Sequence, residues 1–154
     1  MSEFTLASSL RRLVALEGDP QALLRDARAQ LRARQTQLLG TPVVVGPSDV
    51  DRALRLFEEG RLSREQLQEW AEILEMSDHV EYERGSEEAI ANTLFRLTSP
   101  EINEPITRVA VRRMRASLES SRRGQSASHD GEGPNDCTGQ ATPHDDQEPN
   151  GRDR

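Results

Sequence analysis

The sequence predicts an all-α fold: a small bundle of about five helices followed by a disordered, acidic C-terminal tail. Three observations predict it. Apolar residues recur at three- and four-residue spacing in successive segments up to about Ser120. Glycines and prolines end those segments, and Ser, Asp or Asn stand where they begin. The only β-branched run, Val43-Val44-Val45, is three residues long, and no stretch of comparable quality offers itself as a partner. It therefore reads as an extended linker whose valines pack onto helices.

In chain order, residues 5–16 carry Leu6, Leu10, Leu13 and Val14 at helical spacing, and Gly18 marks the end. Asp19 is then an N-cap and Pro20 a first helical residue whose missing N–H costs nothing there. The segment 20–39 is rich in Ala, Leu, Arg and Gln, with Leu24, Ala27, Leu31 and Leu38 as its apolar stripe. Arg25, Arg28 and Arg32, with Gln35, form a basic stripe on another side. Gly40 and Pro42 stop the helix. The Val43–Val45 run then separates an N-terminal helical arm, residues 1–41, from a compact helical domain, residues 48–119.

That domain opens with a helical hairpin over residues 48–83. Ser48 and Asp51 have the spacing of a capping box after Pro47. Val50, Ala53, Leu54 and Phe57 form an apolar face, and Gly60 suits the left-handed residue that follows a helix. Ser63 and Gln66 repeat the capping pattern. Leu67, Trp70, Ala71 and Leu74 make the next apolar face, with Glu65, Glu69 and Glu72 roughly opposite. The short loop between them predicts antiparallel neighbours. Trp70, the one Trp, has two readings: a core anchor, or a surface group with its indole N–H open to a partner. Residues 77–83 read as either extended or irregular. Ser86 caps a helix bearing Ile90, Leu94 and Leu97 with Phe95 alongside, and Asn103 caps a last one with Pro105 in its first turn. In that last helix Ile106, Val109, Ala110, Met114 and Leu118 are the expected buried face, and Arg108, Arg112, Arg113 and Arg115 line the remainder. From residue 120 to 154 the composition turns to Ser, Gly, Asp, Pro, Asn, Gln, Arg and His, too polar to offset its chain entropy, so this segment is expected to be disordered.

Charge is unevenly spread. The 154 residues carry a net charge of −7, and residues 48–83 hold eleven acids against four Arg. A pI near 5.1 argues against nucleic-acid binding by the whole chain. Every basic residue is Arg, a bias that points to a GC-rich bacterial genome rather than to a site. The single Cys137 excludes an intramolecular disulfide and a cysteine-based metal site. The N-terminus lacks the apolar core of a signal peptide and no apolar run reaches membrane-spanning length, so a cytoplasmic location is expected.

Catalytic motifs are missing. There is no glycine-rich phosphate loop, no GxSxG and no HExxH. Asp78, His79, Glu81 and Glu83 are the nearest approach to a metal constellation, but alternate residues share a side only in a strand, and one loop rarely completes a site. No catalytic activity, metal or cofactor is expected.

The run Leu54-x-Leu56-Phe57-x-x-Gly60-Arg61-Leu62-Ser63-x-x-Gln66-Leu67-x-x-Trp70-Ala71-x-x-Leu74-Glu75 carries a resemblance. So do Asp78-His79-Val80-x-Tyr82-Glu83 and Leu94-Phe95-x-Leu97-x-x-Pro100-Glu101-Ile102-Asn103. Over about residues 50–118 the chain resembles a group of short, mostly uncharacterised bacterial helical proteins, some similar to immunity proteins that neutralise a cognate toxin. The resemblance implies a binding protein without catalysis and transfers no functional residue. The expected function is thus a non-catalytic protein-binding module whose acidic residues Glu65, Glu69, Glu72, Asp78, Glu81 and Glu83 meet a basic protein partner. The alternative is a small nucleic-acid-associated regulator that uses Arg25, Arg28 and Arg32, or the arginines of the last helix. In both cases the basic and acidic helices have the option of pairing within one molecule.

Overall fold

The computed structural model describes residues 6–33 and 41–127. Helix α1 spans Leu6–Ala15 and α2 spans Pro20–Arg32. Strand β1 is Val43–Val45, followed by α3 over Pro47–Glu58 and α4 over Arg64–Glu75. Strand β2 is Val80–Tyr82, and α5 (Glu87–Thr98) and α6 (Arg108–Ala127) complete the described chain. The fold is mostly all-α. One continuous core runs from Leu10 and Leu13 of α1, through Leu54, Leu67, Trp70 and Leu94, to Leu118 of α6.

Local signals account for most of the helix ends. The Asp19 carboxylate accepts from the Ala22 N–H at 3.0 Å, and Pro20 opens α2. Ser63 and Gln66 form the reciprocal capping box at α4: the Ser63 hydroxyl accepts from the Gln66 N–H at 3.1 Å, and the Gln66 side chain accepts from the Ser63 N–H at 2.9 Å. Gly60 takes φ +76°, the left-handed turn that ends α3.

Two caps fall elsewhere than expected. Helix α3 begins at Pro47 with Gly46 as its cap, and the Asp49 carboxylate accepts from the Gly46 N–H at 3.0 Å. The Ser48–Asp51 pairing is therefore not used, because a proline fits the first helical position better than it fits ahead of a cap. Helix α6 starts at Arg108, where the Thr107 hydroxyl accepts from the Ala110 N–H at 3.1 Å. Asn103 instead donates its side-chain amide to the Ser99 carbonyl at 3.0 Å, in the turn after α5. Four of the five residues expected on the buried face of α6 are there. Ala110, Val111, Met114 and Leu118 pack inside with Ile106, while Val109 is 58% exposed. Phe95 is likewise outside the core, at 46% exposure, because Ile90, Thr93, Leu94 and Leu97 occupy the inner face of α5. Helix α6 continues seven residues past the expected limit at 120; the rest of the tail, like Leu38, Gln35 and Gly40 of the expected longer α2, lies outside the described residues.

The valine run is a strand, not a linker. β1 pairs in parallel with β2, with Val43, Val44 and Val45 opposite Val80, Glu81 and Tyr82. The Val43 N–H donates to the His79 carbonyl at 2.7 Å, and the Glu83 N–H to the Val45 carbonyl at 2.9 Å. Parallel strands need a long crossover, and α3 with α4 supplies it. Val43 and Val45 point into the core and Val44 outward.

The two hairpin helices touch each other only lightly. α3 packs chiefly on α6, and α4 on α5 and α2. Trp70 is fully buried, and its indole N–H donates to the Leu13 carbonyl at 3.1 Å. Arg52 of α3 donates to the Ala15 carbonyl at 3.2 Å. Two carbonyls at the C-terminal end of α1 are thus taken by side chains of α3 and α4, that of Leu13 also accepting from the Leu16 N–H at 3.2 Å.

Trp70→Phe keeps a ring in the core but removes the N–H and part of the volume. It should lower unfolding free energy by about 2 kcal/mol in a urea titration followed by circular dichroism. Gly60→Ala should cost roughly 1 kcal/mol in the same assay. Nothing lies within 4 Å of an added Cβ, so that cost is the backbone's alone.

Candidate functional site

Between Asp51 and Glu104 two contrasting sets of acids stand out. The first set is matched internally. Arg115 of α6 reaches across α3, its Nε 2.7 Å from Asp51 and its terminal nitrogen on Glu58. Arg55 sits 2.8 Å from Asp51, and Arg112 3.0 Å from Glu58. Glu69 of α4 pairs with Arg28 of α2 at 2.8 Å. A second network joins Glu104, in the connection before α6, to Arg96 of α5 and Arg113 of α6.

The Asp51–Glu58–Arg115 cluster is the least exposed of these, with side chains 21%, 14% and 30% accessible. Burial works against the charged carboxyl of Asp51, and the hydrogen bonds and charges of Arg115 and Arg55 together outweigh it. Glu58 shows the same balance, with Arg115 and Arg112 as donors. Both carboxyls are therefore held below their ordinary values, and the Arg115 guanidinium is pushed up by its bonds to both.

The second set is exposed. Glu75, Asp78, Glu81, Glu83, Glu87 and Glu88 are all at the surface, against Arg84 and a half-buried His79 in the same stretch. The fold gathers them. The Glu83 N–H is bonded to Val45, and the Glu83 carboxylate lies over Gly46, so the end of β2 is fixed beside the start of α3. Burial, and then the nearby charge of Glu75, push the Tyr82 hydroxyl up, which places the end of α4 beside β2. Glu87 and Glu88 occupy the first turn of α5, where the helix dipole favours acids. We call this surface the acidic end.

The residues singled out from sequence thus fare differently. Asp78, Glu81 and Glu83 belong to the acidic end. Glu72 accepts from Gln68 at 3.3 Å, and Glu69 is engaged with Arg28. Glu65 is exposed; the backbone N–H at its own position and the Ser63 hydroxyl hold its carboxyl below the usual range. Glu75, Glu87 and Glu88 were missed as members, although six acids within fourteen residues was a readable signal. Trp70 offers nothing to a partner, since it is buried and its N–H is taken.

Arg25, Arg28 and Arg32 share a groove of about 450 Å³ between α2 and α4, facing Gln66 and Glu69. A smaller groove of about 350 Å³ beside α6 is lined by Asp51, Arg55, Arg112, Arg115 and Glu119 among others, mostly paired charges. Among the described residues no three His, Cys, Asp or Glu side chains converge as metal ligands. No described helix is long and apolar enough to cross a membrane.

Comparison with known protein families, with curated proteins and with solved structures returns no match.

Because the folded-state values of Asp51 and Glu58 are lowered, their contribution to stability is present above their ordinary values of 3.8 and 4.5 and is lost as pH falls. Arg115→Gln should cost about 1–2 kcal/mol near neutral pH. It should also flatten the decline in unfolding midpoint below about pH 5, read from urea titrations across that range. A slope that survives the substitution would mean that other carboxylates control acid unfolding.

Proposed function

We propose that this chain is a non-catalytic binding protein, of the immunity type in a bacterial cytosol, that meets a basic protein partner through its acidic end. One observation carries the reading. Asp51, Glu58 and Glu69 are matched by the chain's own arginines, whereas Glu75, Glu81, Glu83, Glu87 and Glu88 stand exposed around one short strand and two helix ends with no arginine paired to them among the described residues. Such a surface draws a cationic partner at long range and raises the rate of encounter. Val44, 55% exposed and level with Glu81 on the neighbouring strand, adds an apolar contact within the charged surround.

The alternative, a nucleic-acid-associated regulator, rests on the groove shared by Arg25, Arg28 and Arg32. Against it stand the Glu69 carboxylate in that groove and the lack of an aromatic side chain lining it on which a base would stack.

The test compares the full chain with a Glu75→Lys, Glu81→Lys, Glu83→Lys variant as baits on lysate of the source cell. The wild-type chain should retain a basic protein that salt releases, and the variant should not. With that protein purified, charge reversal should slow association at low salt by about tenfold or more and flatten its salt dependence, with a smaller change in dissociation. Equal capture and equal association by the variant would refute the acidic end as the binding surface.

A further inference from the structure

The groove between α2 and α4 has a charge pattern that the acidic end does not explain. Arg28, midway along it, is bound to Glu69 at 2.8 Å. Arg25 and Arg32 have no ion-pair or hydrogen-bond partner among the described residues, although both line the groove. They lie seven residues apart on α2, two helical turns or about 10.5 Å along its axis. The groove is therefore positive towards both ends and neutral between them. A continuous polyanion suits it poorly, since a phosphate in the middle would face Glu69. Two carboxylates about 10 Å apart suit it well, because each guanidinium presents a fork that matches a carboxylate.

The chain itself carries such a segment. Residues 128–154 hold seven acids and two Arg, and within them Thr142-Pro143-His144-Asp145-Asp146-Gln147-Glu148-Pro149-Asn150 is bracketed by prolines. Prolines favour polyproline backbone, in which residues three apart lie on one side at about 9 Å. Asp145 and Glu148 have that spacing. Ala127 ends α6, and the 18 residues from there to Asp145 extend to at most about 60 Å. A folded chain of this size has a radius of gyration of about 14 Å, so the groove is within reach.

We propose that the acidic segment 142–150 docks in cis in the α2–α4 groove, with Asp145 and Glu148 on the guanidinium groups of Arg25 and Arg32. The tether gives the segment a millimolar-range effective concentration, so it outcompetes nucleic acid and acidic proteins for these arginines. The proposal stands apart from the acidic end and holds whether or not a basic partner exists.

The experiment uses the full chain with Cys137→Ser and Gln147→Cys, a nitroxide on the new thiol and an isotopically labelled backbone. Amide signals over α2 and the facing part of α4 should lose intensity selectively, while those of α5 are retained. Asp145→Arg with Glu148→Arg should restore the intensities, high salt should do the same, and adding Arg25→Glu with Arg32→Glu should bring the loss back. Four outcomes overturn the proposal: uniform intensities, a loss indifferent to charge reversal, a loss seen only when labelled and nitroxide-bearing copies are mixed, or retardation of duplex DNA by the unmodified chain through Arg25 and Arg32. The third would assign the groove to a second copy, and the fourth to phosphates.

Discussion

The hydrogen bond from the Trp70 indole to the Leu13 carbonyl is the constraint on which the arrangement of this molecule depends. Aromatic residues are only 3% of the chain, so one fully buried Trp supplies a large share of its ring surface. A buried indole N–H must find an acceptor, and the Leu13 carbonyl at the end of α1, which also accepts from the Leu16 N–H, has a second lone pair for it. Arg52 adds a second contact at Ala15, so α1 is held to both α3 and α4, and α2, packed on α1, is brought against α4. That placement in turn sets Arg28 beside Glu69 and creates the groove between the two helices.

Charge is sorted by the same packing. Exposed ion pairs contribute at most about 1 kcal/mol each, so the pairs on α6 matter less as glue than as neutralisation. Arg115 with its two acids, and Arg96 with Glu104, differ in degree, since each of these side chains is at least two-thirds covered. With Asp51, Glu58, Glu69 and Glu104 matched, Glu75, Glu81, Glu83, Glu87 and Glu88 form the densest group of exposed acids among the described residues, around β2 and the first turn of α5. A chain with acids spread along three helices thereby acquires a charged pole.

Much of this was legible because it is local. Asp19 with Pro20, Ser63 with Gln66, and Gly60 act within one helical turn, so their spacing in the sequence is their geometry. On α6 four of the five expected inner residues, Ile106, Ala110, Met114 and Leu118, are buried, while Val111 takes the place of Val109, a choice between two valines that spacing alone leaves open. The β1–β2 pair was unreadable for a different reason. Its partner, Val80-Glu81-Tyr82, carries a charge at its centre and lies beyond two helices, so no turn between the strands announces it. For the site, the exposed acids after Glu75 were visible as composition. Which of the earlier glutamates would face an arginine depended on tertiary contacts that spacing does not encode.

The parallel pairing of β1 with β2 also sets the order in which the molecule is made. Val43 and Val80 close a loop of some 37 residues, an entropy cost of roughly 3 kcal/mol beyond a constant, for a sheet of three residues a side. So short a sheet cannot nucleate anything. Helices α3 and α4 relax within about a microsecond and the packing of α4 on α5 joins neighbours in sequence, whereas the strands must wait until the helices between them have brought residues 43 and 80 together. The acidic end, built around β2, therefore assembles after the helices it joins and is among the first parts to open, and nascent chain that has only formed its helices does not yet present a finished surface.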